Sequence, residues 1–213
     1  MSLRDRRVQY ETAGLERGDL NPDPIAQWHI WYEQAANAGV AEPNAMTVST
    51  VDQNSAPDSR VVLARAVDAR GFVFYTNYDS AKSHQILVNP VASAVFAWLD
   101  LHRQVRVRGT VRRISENESD DYFASRPRES QIGAWASPQS QPIADRTIIE
   151  KRMVEFRAKF ENQNVPRPPS WGGWCLVPNA IEFWQGRPSR LHDRFAFTLD
   201  ATSNEWHVER LAP

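Results

Sequence analysis

The chain has 213 residues, with 25 Lys+Arg against 26 Asp+Glu, 41% hydrophobic residues and a single cysteine. This predicts one soluble cytoplasmic domain that can bury roughly 70% of its unfolded surface without metal or disulfide. It excludes an intramolecular disulfide and a Cys-based zinc site, and argues against bulk electrostatic binding to nucleic acid. It also leaves no apolar run near the ~20 residues of a membrane helix, and Met1–Tyr10 lacks the apolar core of a secretory signal.

Asp23-Pro24 reads as an N-cap followed by proline in the first turn, and Ile25, Trp28, Trp31, Tyr32 and Ala35 then recur at helical spacing until Gly39. A strand-rich block follows. Strands are expected at Ala45–Val51, Arg60–Val67 and Phe72–Thr76, with turns at Asp52–Ser55 and Asp68–Gly71. Ser80–Asn89 reads as a short helix closed by Pro90, and Val91–Trp98 and Arg103–Ile114 as long strands. Within the second of these, Val105, Val107 and Val111 point one way, and Gln104, Arg106, Arg108 and Thr110 the other. Glu116–Ser125 is a predicted helix capped by Ser115, Arg126–Pro142 is expected to be irregular, and Ile143–Asn162 a helix with Ile149, Met153, Phe156 and Phe160 on one stripe. Pro166–Pro169 reads as a turn or linker. Trp174–Val177, Ile181–Gln185, Arg194–Leu199 and Glu205–Arg210 finish the chain as short strands. The expected class is mainly β with peripheral helices (α+β): an antiparallel barrel with helices packed outside, spanning 1–213 as one domain.

The familiar catalytic arrangements are missing. His29, His84, His102, His192 and His207 show no i, i+4 pairing and no HExxH, so no metal site is expected. There is no GxSxG elbow, no Gly-rich dinucleotide fingerprint and no GxxxxGK loop, and Cys175 reads as an inert buried thiol. Any nucleotide phosphate must therefore be held by side chains. Of the basic residues, 22 are Arg and 3 are Lys, and the guanidinium fork suits phosphate.

Four clusters place polar groups where a bland surface would not. Arg60-Val61-Val62-Leu63-Ala64-Arg65 brackets an apolar strand with two arginines. Tyr75-Thr76 leads to a helix N-terminus at Ser80, where Lys82 opposes the helix dipole unless an anion sits there. Tyr122, Arg126 and Ser130 form a sensible trio for a phosphomonoester, Tyr122 and Arg126 being i, i+4 partners. Arg190, His192 and Arg194 alternate, which on a strand puts all three on one face beside the flat wall of Trp184.

The run Ile181-Glu182-Phe183-Trp184-Gln185, four residues, then Arg190-Leu191-His192-Asp193-Arg194 resembles the signature of pyridoxine/pyridoxamine 5'-phosphate oxidases. RVVLAR, FYTN, RQVRVRG, YFASRPRESQIGAW, ASPQS and the terminal RLAP resemble the same family in the same order, from about Arg7 to Pro213. The resemblance implies an FMN-binding split β-barrel homodimer with FMN at the subunit interface. It implies oxidation of pyridoxine 5'-phosphate or pyridoxamine 5'-phosphate to pyridoxal 5'-phosphate, with O2 reduced to H2O2 and no nucleic-acid or membrane partner. The FMN contacts it implies are Arg60, Val61, Val62, Leu63, Arg65, Tyr75, Thr76, Lys82, Gln104, Gln139, Ser140, Trp184 and Arg194. The substrate contacts are Arg7, Tyr10, Arg65, Tyr122, Arg126, Ser130, Arg190 and His192, with Arg190 and His192 as the catalytic pair. Residues 1–20 are expected to be a mobile segment covering the active site.

Two positions depart from the family pattern. Arg65 stands where relatives often carry Lys, and Ala81 where many carry Arg, so one phosphate contact to FMN is expected to be missing. Three other readings compete: a split-barrel flavoenzyme acting on another small molecule, as in phenazine-pathway relatives, a non-catalytic FMN or pyridoxal phosphate carrier, and a nucleic-acid-binding barrel using Arg103, Arg106, Arg108, Arg112 and Arg113. The YFxxRP phosphate clamp and the retained Arg190–His192 pair favour the B6 phosphate oxidase.

Overall fold

The computed structural model describes residue 10 and residues 12–213. Helix α1 (Pro24–Asn37) begins as the sequence predicts: the Asp23 carboxylate accepts from the Ile25 N–H at 2.9 Å, and Pro24 occupies the first turn, where its missing N–H costs nothing. Its buried stripe of Trp28, Trp31 and Ala35 seals the core. Trp28 meets Phe72 and Phe96 edge-on, with centroids 5.7 and 5.2 Å apart, and Trp31 meets Phe183 at 5.2 Å.

Nine strands, among the described residues, form one antiparallel sheet. They are β1 (Ala45–Val51), β2 (Pro57–Leu63), β3 (Ala66–Asp68), β4 (Gly71–Asn77), β5 (Val91–Trp98), β6 (Arg103–Arg113), β7 (Trp171–Gln185), β8 (Asp193–Leu199) and β9 (Trp206–Leu211). The order is β2-β1-β5-β6-β7-β4-β3, with β8 on β7 and β9 on β8. The two ends of that order, β2 and β3, are consecutive in sequence with only Ala64 and Arg65 between them. The sheet must therefore curl until its edges approach, which is the barrel-like closure expected from the strand pattern.

Strand β7 organises the rest. One of its edges pairs with β6 over Trp174–Gln185. The other pairs with β4 over Trp171–Leu176 and with β8 over Ala180–Gln185. The changeover falls at Pro178, which has no N–H to donate, opposite a register shift between Arg108 and Gly109. Gly109 is required there, because a Cβ would lie 1.9 Å from the Val177 carbonyl oxygen.

Helix α2 (Ala81–Val88) follows β4. Helices α3 (Glu116–Ser125), α4 (Arg128–Ala136) and α5 (Thr147–Lys159) gather around a second core of Phe123, Ile132, Phe160, Val165 and Trp171. Four expectations are corrected. The strand expected at Arg60–Val67 is two strands, broken at Ala64-Arg65 where the chain crosses between the sheet's edges. The segment expected to be irregular contains α4, which starts directly after Pro127 and buries Gln131, Ile132 and Ala136 at helical spacing. The helix expected over Ile143–Asn162 is shorter, and its apolar stripe is only half-buried except for Phe160 at its end. The two short strands after Trp174 are the single strand β7, continued through Pro178 by the bulge.

Candidate functional site

An open cleft of about 660 Å³ lies between β2, β4, α2 and α3. Strand β2 supplies Asp58, Arg60, Val61, Val62 and Leu63, and the crossing that follows supplies Arg65. The end of β4 supplies Tyr75 and Thr76, the first turn of α2 Ala81 and Lys82, and the end of α3 Tyr122 and Arg126. Gln139, Ser140 and Trp171 close the remaining side. Ser130 lines an adjoining hollow that shares Arg126, Gln139 and Trp171 with the main cleft.

Three cations of this cleft, Arg65, Lys82 and Arg126, have no carboxylate partner among the described residues. Lys82 is 7% exposed, and its Nζ donates to the hydroxyls of Thr76 at 3.0 Å and Ser80 at 3.4 Å. Burial, and secondarily the nearby Arg60, hold its ammonium below the usual lysine range. Arg126 leaves the helix at the C-cap, and its guanidinium lies 4.6 Å over the Trp171 ring with a buried Nη1 that has no hydrogen-bond partner. Burial lowers its pKa as well. A buried, unpartnered guanidinium nitrogen is costly, and an anion in the cleft would satisfy it. Arg60 differs: it pairs with Asp58 and donates to the Thr50 hydroxyl at 2.6 Å. The wall beside Arg126 is aromatic, with Tyr75 stacked on Tyr122 at 3.9 Å and on Trp171 at 5.4 Å. Burial pushes the Tyr75 hydroxyl up to about 12, so it stays protonated. Gln139 is fixed by accepting from the Thr76 hydroxyl and the Asn77 N–H, both at 3.2 Å.

A second group gathers where β6, β7 and β8 end. Gln104, Trp184 and Arg194 are successive cross-strand neighbours, so they share the outer face of the sheet. His192 packs 4.5 Å from the Trp184 ring, and Tyr10 lies 5.9 Å from His192. The His192 Nδ1 accepts from the Arg187 N–H at 3.1 Å, so the proton of the neutral ring sits on Nε2, which has no partner among the described residues. Burial, then Arg190, hold its pKa below the usual histidine value. Arg194 donates to Glu182 at 2.8 Å and to the Ala212 carbonyl at 2.8 Å.

The predicted residues therefore divide. The cleft unites Arg60, Val61, Val62, Leu63, Arg65, Tyr75, Thr76, Lys82, Tyr122, Arg126, Gln139 and Ser140. Gln104, Trp184, Arg194, Arg190, His192 and Tyr10 do not line it. Arg7 lies outside the described residues. The expectation that Arg190, His192 and Arg194 share a strand face is wrong. Only Arg194 lies on β8; Arg190 ends a 3-10 turn, and Ser189 and Arg190 take left-handed backbones with φ of 57° and 63°. Two such residues in succession cost about 1–2 kcal/mol each, which breaks the alternation a strand would impose. Sequence reasoning missed Asp58 and Trp171. Asp58 was discoverable, since it is two places from Arg60 on a strand and thus on the same face. Nothing local distinguished Trp171 from a core tryptophan.

Comparison with known proteins bears on both groups. Residues 32–160 match the family model described as pyridoxamine 5'-phosphate oxidase, and residues 171–213 the pyridoxine 5'-phosphate oxidase C-terminal dimerisation region. Curated relatives named pyridoxine/pyridoxamine 5'-phosphate oxidase include one from Synechocystis sp., 53% identical, and one from Burkholderia mallei, 52% identical. Each alignment covers 100% of this chain and 99% of the relative. A solved structure of PhzG from Burkholderia lata 383, in complex with tetrahydrophenazine-1-carboxylic acid, aligns with a TM-score of 0.89 at 28% identity, covering 97% of this chain and 100% of that one. A pyridoxamine 5'-phosphate oxidase-related, FMN binding protein from Nostoc punctiforme shares the fold, with a TM-score of 0.72 at 17% identity, covering 91% of this chain and 100% of that one.

Proposed function

The chain belongs to the pyridoxamine 5'-phosphate oxidase family, and from that premise we propose that it oxidises pyridoxine 5'-phosphate or pyridoxamine 5'-phosphate to pyridoxal 5'-phosphate, with bound FMN as cofactor and O2 as the final acceptor. The observation that carries the reading is a pair of cations without carboxylate partners among the described residues, the buried Lys82 and the half-buried Arg126 with its buried, unpartnered Nη1, lining one cleft. Two phosphates, one on the cofactor and one on the substrate, are what such a cleft is built to neutralise.

The residues fit FMN. Lys82, Arg60 and the Thr76 hydroxyl would hold its phosphate, while Gln139, Ser140 and the backbone of Val61–Leu63 would flank the rest. When bound, FMN supplies a two-electron acceptor that no side chain offers. Arg126, Tyr122 and Ser130 grip the substrate phosphate, and that remote binding energy fixes the position of the reacting carbon. Arg65, exposed and free of a carboxylate partner among the described residues, adds positive charge at the same mouth.

His192 and Arg190 orient the substrate ring. With its pKa held low and Nδ1 occupied by a backbone N–H, His192 presents a neutral ring with Nε2–H as a fixed donor. Because this loop does not line the chain's own cleft and belongs to the matched dimerisation region, a homodimer supplies it in trans. Each active site then combines the cleft of one protomer with the Trp184–Arg194 group of its partner, and FMN lies at the interface.

An anaerobic visible spectrum of the FMN-loaded protein tests the reading. Adding pyridoxine 5'-phosphate is expected to bleach the flavin band, and air to restore it with release of H2O2. A band that persists through a large excess of both phosphorylated substrates would refute it.

A further inference from the structure

We propose that His102 is a positioning residue for this reaction: its imidazole is the platform that holds Tyr10 against Trp184 and His192. Only the kinetic arm of the test below rests on the oxidase reading.

The two rings stack with centroids 4.1 Å apart and planes 26° from parallel. From that platform Tyr10 reaches its two neighbours, lying 6.2 Å edge-on from Trp184 and 5.9 Å from His192. The platform is rigid. His102 closes the turn Leu99–Leu101 in a left-handed backbone, φ 50° and ψ 45°, and its carbonyl accepts from the Gly186 N–H at 2.7 Å and from Gln185 Nε2 at 3.2 Å. It is thereby pinned to the strand end that carries Trp184. The close approach depends on Gly186, where a Cβ would lie 2.6 Å from the Tyr10 ring and 2.9 Å from the His102 Cβ.

Tyr10 is delivered to this spot by the chain that follows it. The Thr12 hydroxyl donates to the Gly186 carbonyl, the Thr12 carbonyl accepts from Arg187 Nη1 at 2.9 Å, and the Leu15 N–H donates to Asp193 at 3.0 Å. These ties fix the segment beyond Tyr10 but leave the ring itself to be placed. The imidazole of His102 makes no side-chain hydrogen bond among the described residues, and Tyr10 is its one aromatic partner among them. Its contact with the segment is therefore the stack itself, and the stack sets where Tyr10 stands over the catalytic loop.

The test pairs hydrogen–deuterium exchange of residues 10–15 in the apoprotein with kcat and KM for pyridoxine 5'-phosphate in the FMN-loaded enzyme. His102→Asn keeps a residue that tolerates the left-handed backbone and removes the ring. It is expected to speed exchange and raise KM by about 3- to 10-fold, the range of an aromatic pair, with kcat within about twofold of wild type. His102→Phe is expected to restore both. The proposal is overturned if His102→Asn exchanges like wild type. It is also overturned if both variants melt normally yet are equally impaired, or if exchange accelerates while KM stays put. Should neither variant fold, Tyr10→Leu removes the same stack from its other side, and unchanged exchange there overturns the proposal. A wild-type protein that fails to bleach with substrate would sink the oxidase reading and leave the exchange result standing.

Discussion

The cleft and the region around the β7–β8 loop both concentrate cations and, apart from Arg60 paired with Asp58 in the cleft and Arg190 without a carboxylate partner among the described residues in the loop, they treat them in opposite ways. In the loop region each of three arginines meets carboxylates: Arg187 with Asp193, Arg194 with Glu182, and Arg210 with Asp193 and Glu16. In the cleft, Arg65, Lys82 and Arg126 have no carboxylate partner among the described residues, although Lys82 and much of Arg126 are buried. A paired arginine ties chain segments together. A buried cation without a partner destabilises the empty fold and is retained for what it binds. The difference separates structural charge from binding charge without reference to any relative.

The sharpest way to break this comparison is to remove the binding charge whose buried Nη1 has no hydrogen-bond partner. Arg126→Met is expected to lower kcat/KM for pyridoxine 5'-phosphate by about 10²–10³-fold, the loss of two charge-assisted hydrogen bonds. The same variant should discriminate poorly between the phosphorylated substrate and unphosphorylated pyridoxine. Retained discrimination would move the phosphate grip elsewhere.

The opposite response is expected from the loop region. Glu182 is 12% exposed and bridges Arg106 at 2.9 Å and Arg194 at 2.8 Å. Glu182→Gln strands two arginines and is expected to cost about 1–2 kcal/mol of stability in urea unfolding, at the lower end for buried pairs because Arg106 is half-exposed. An unchanged midpoint would mean that these pairs are ornaments of the surface.

Lys82→Met should do the reverse of both. The apoprotein is expected to gain about 1 kcal/mol of stability, since an unpaired buried charge is replaced by an apolar chain, while FMN binding weakens. The pH dependence carries the same sign. Because the folded pKa of Lys82 is lowered, the unfolded chain binds more protons in the interval up to the ordinary lysine value of about 10.4. The wild-type deficit is therefore full below the folded pKa and closes as pH rises through that interval. Unfolding midpoints of the two apoproteins across the alkaline range would show the gap narrowing, and a constant gap would refute the assignment.

Which parts of this arrangement were legible beforehand follows from how local their causes are. Helix α1 was readable because Asp23-Pro24 and the Trp28–Trp31–Ala35 stripe are contained in the segment itself, and β1, β5 and α3 match their expected bounds for similar reasons. Helix α4 was not, because its short apolar stripe is buried against residues far along the chain. The continuity of β7 through Pro178 depended on a register shift in a different strand. Within the site, the Arg60–Arg65, Tyr75–Lys82 and Tyr122–Arg126 groups were visible as local clusters. The second group was not, since Gln104, Trp184 and Arg194 meet only through the pairing of three strands, and left-handed backbones at Ser189 and Arg190, which no residue type there announces, take Arg190 off the strand face.

The smallest expected effect concerns the one cleft position where charge is missing. Ala81 is exposed in the first turn of α2 and lines the cleft directly beside Lys82. An arginine there would extend over the mouth of the cleft without displacing anything buried, so the fold should tolerate Ala81→Arg. It would also put a second cation beside the first, raising the cost of the empty cleft slightly and the value of a bound phosphate more. The expected outcome is an FMN dissociation constant lower by about 3- to 10-fold, as for one partly solvated charge-assisted contact, with the gain shrinking as salt is raised. Fluorescence quenching of FMN on titration with apoprotein at two salt concentrations reads both quantities. Equal affinity in the variant and the wild type would mean that Lys82, Arg60 and Thr76 already neutralise the phosphate, and that the cleft's unpaired charge has been fully spent on the ligand it holds.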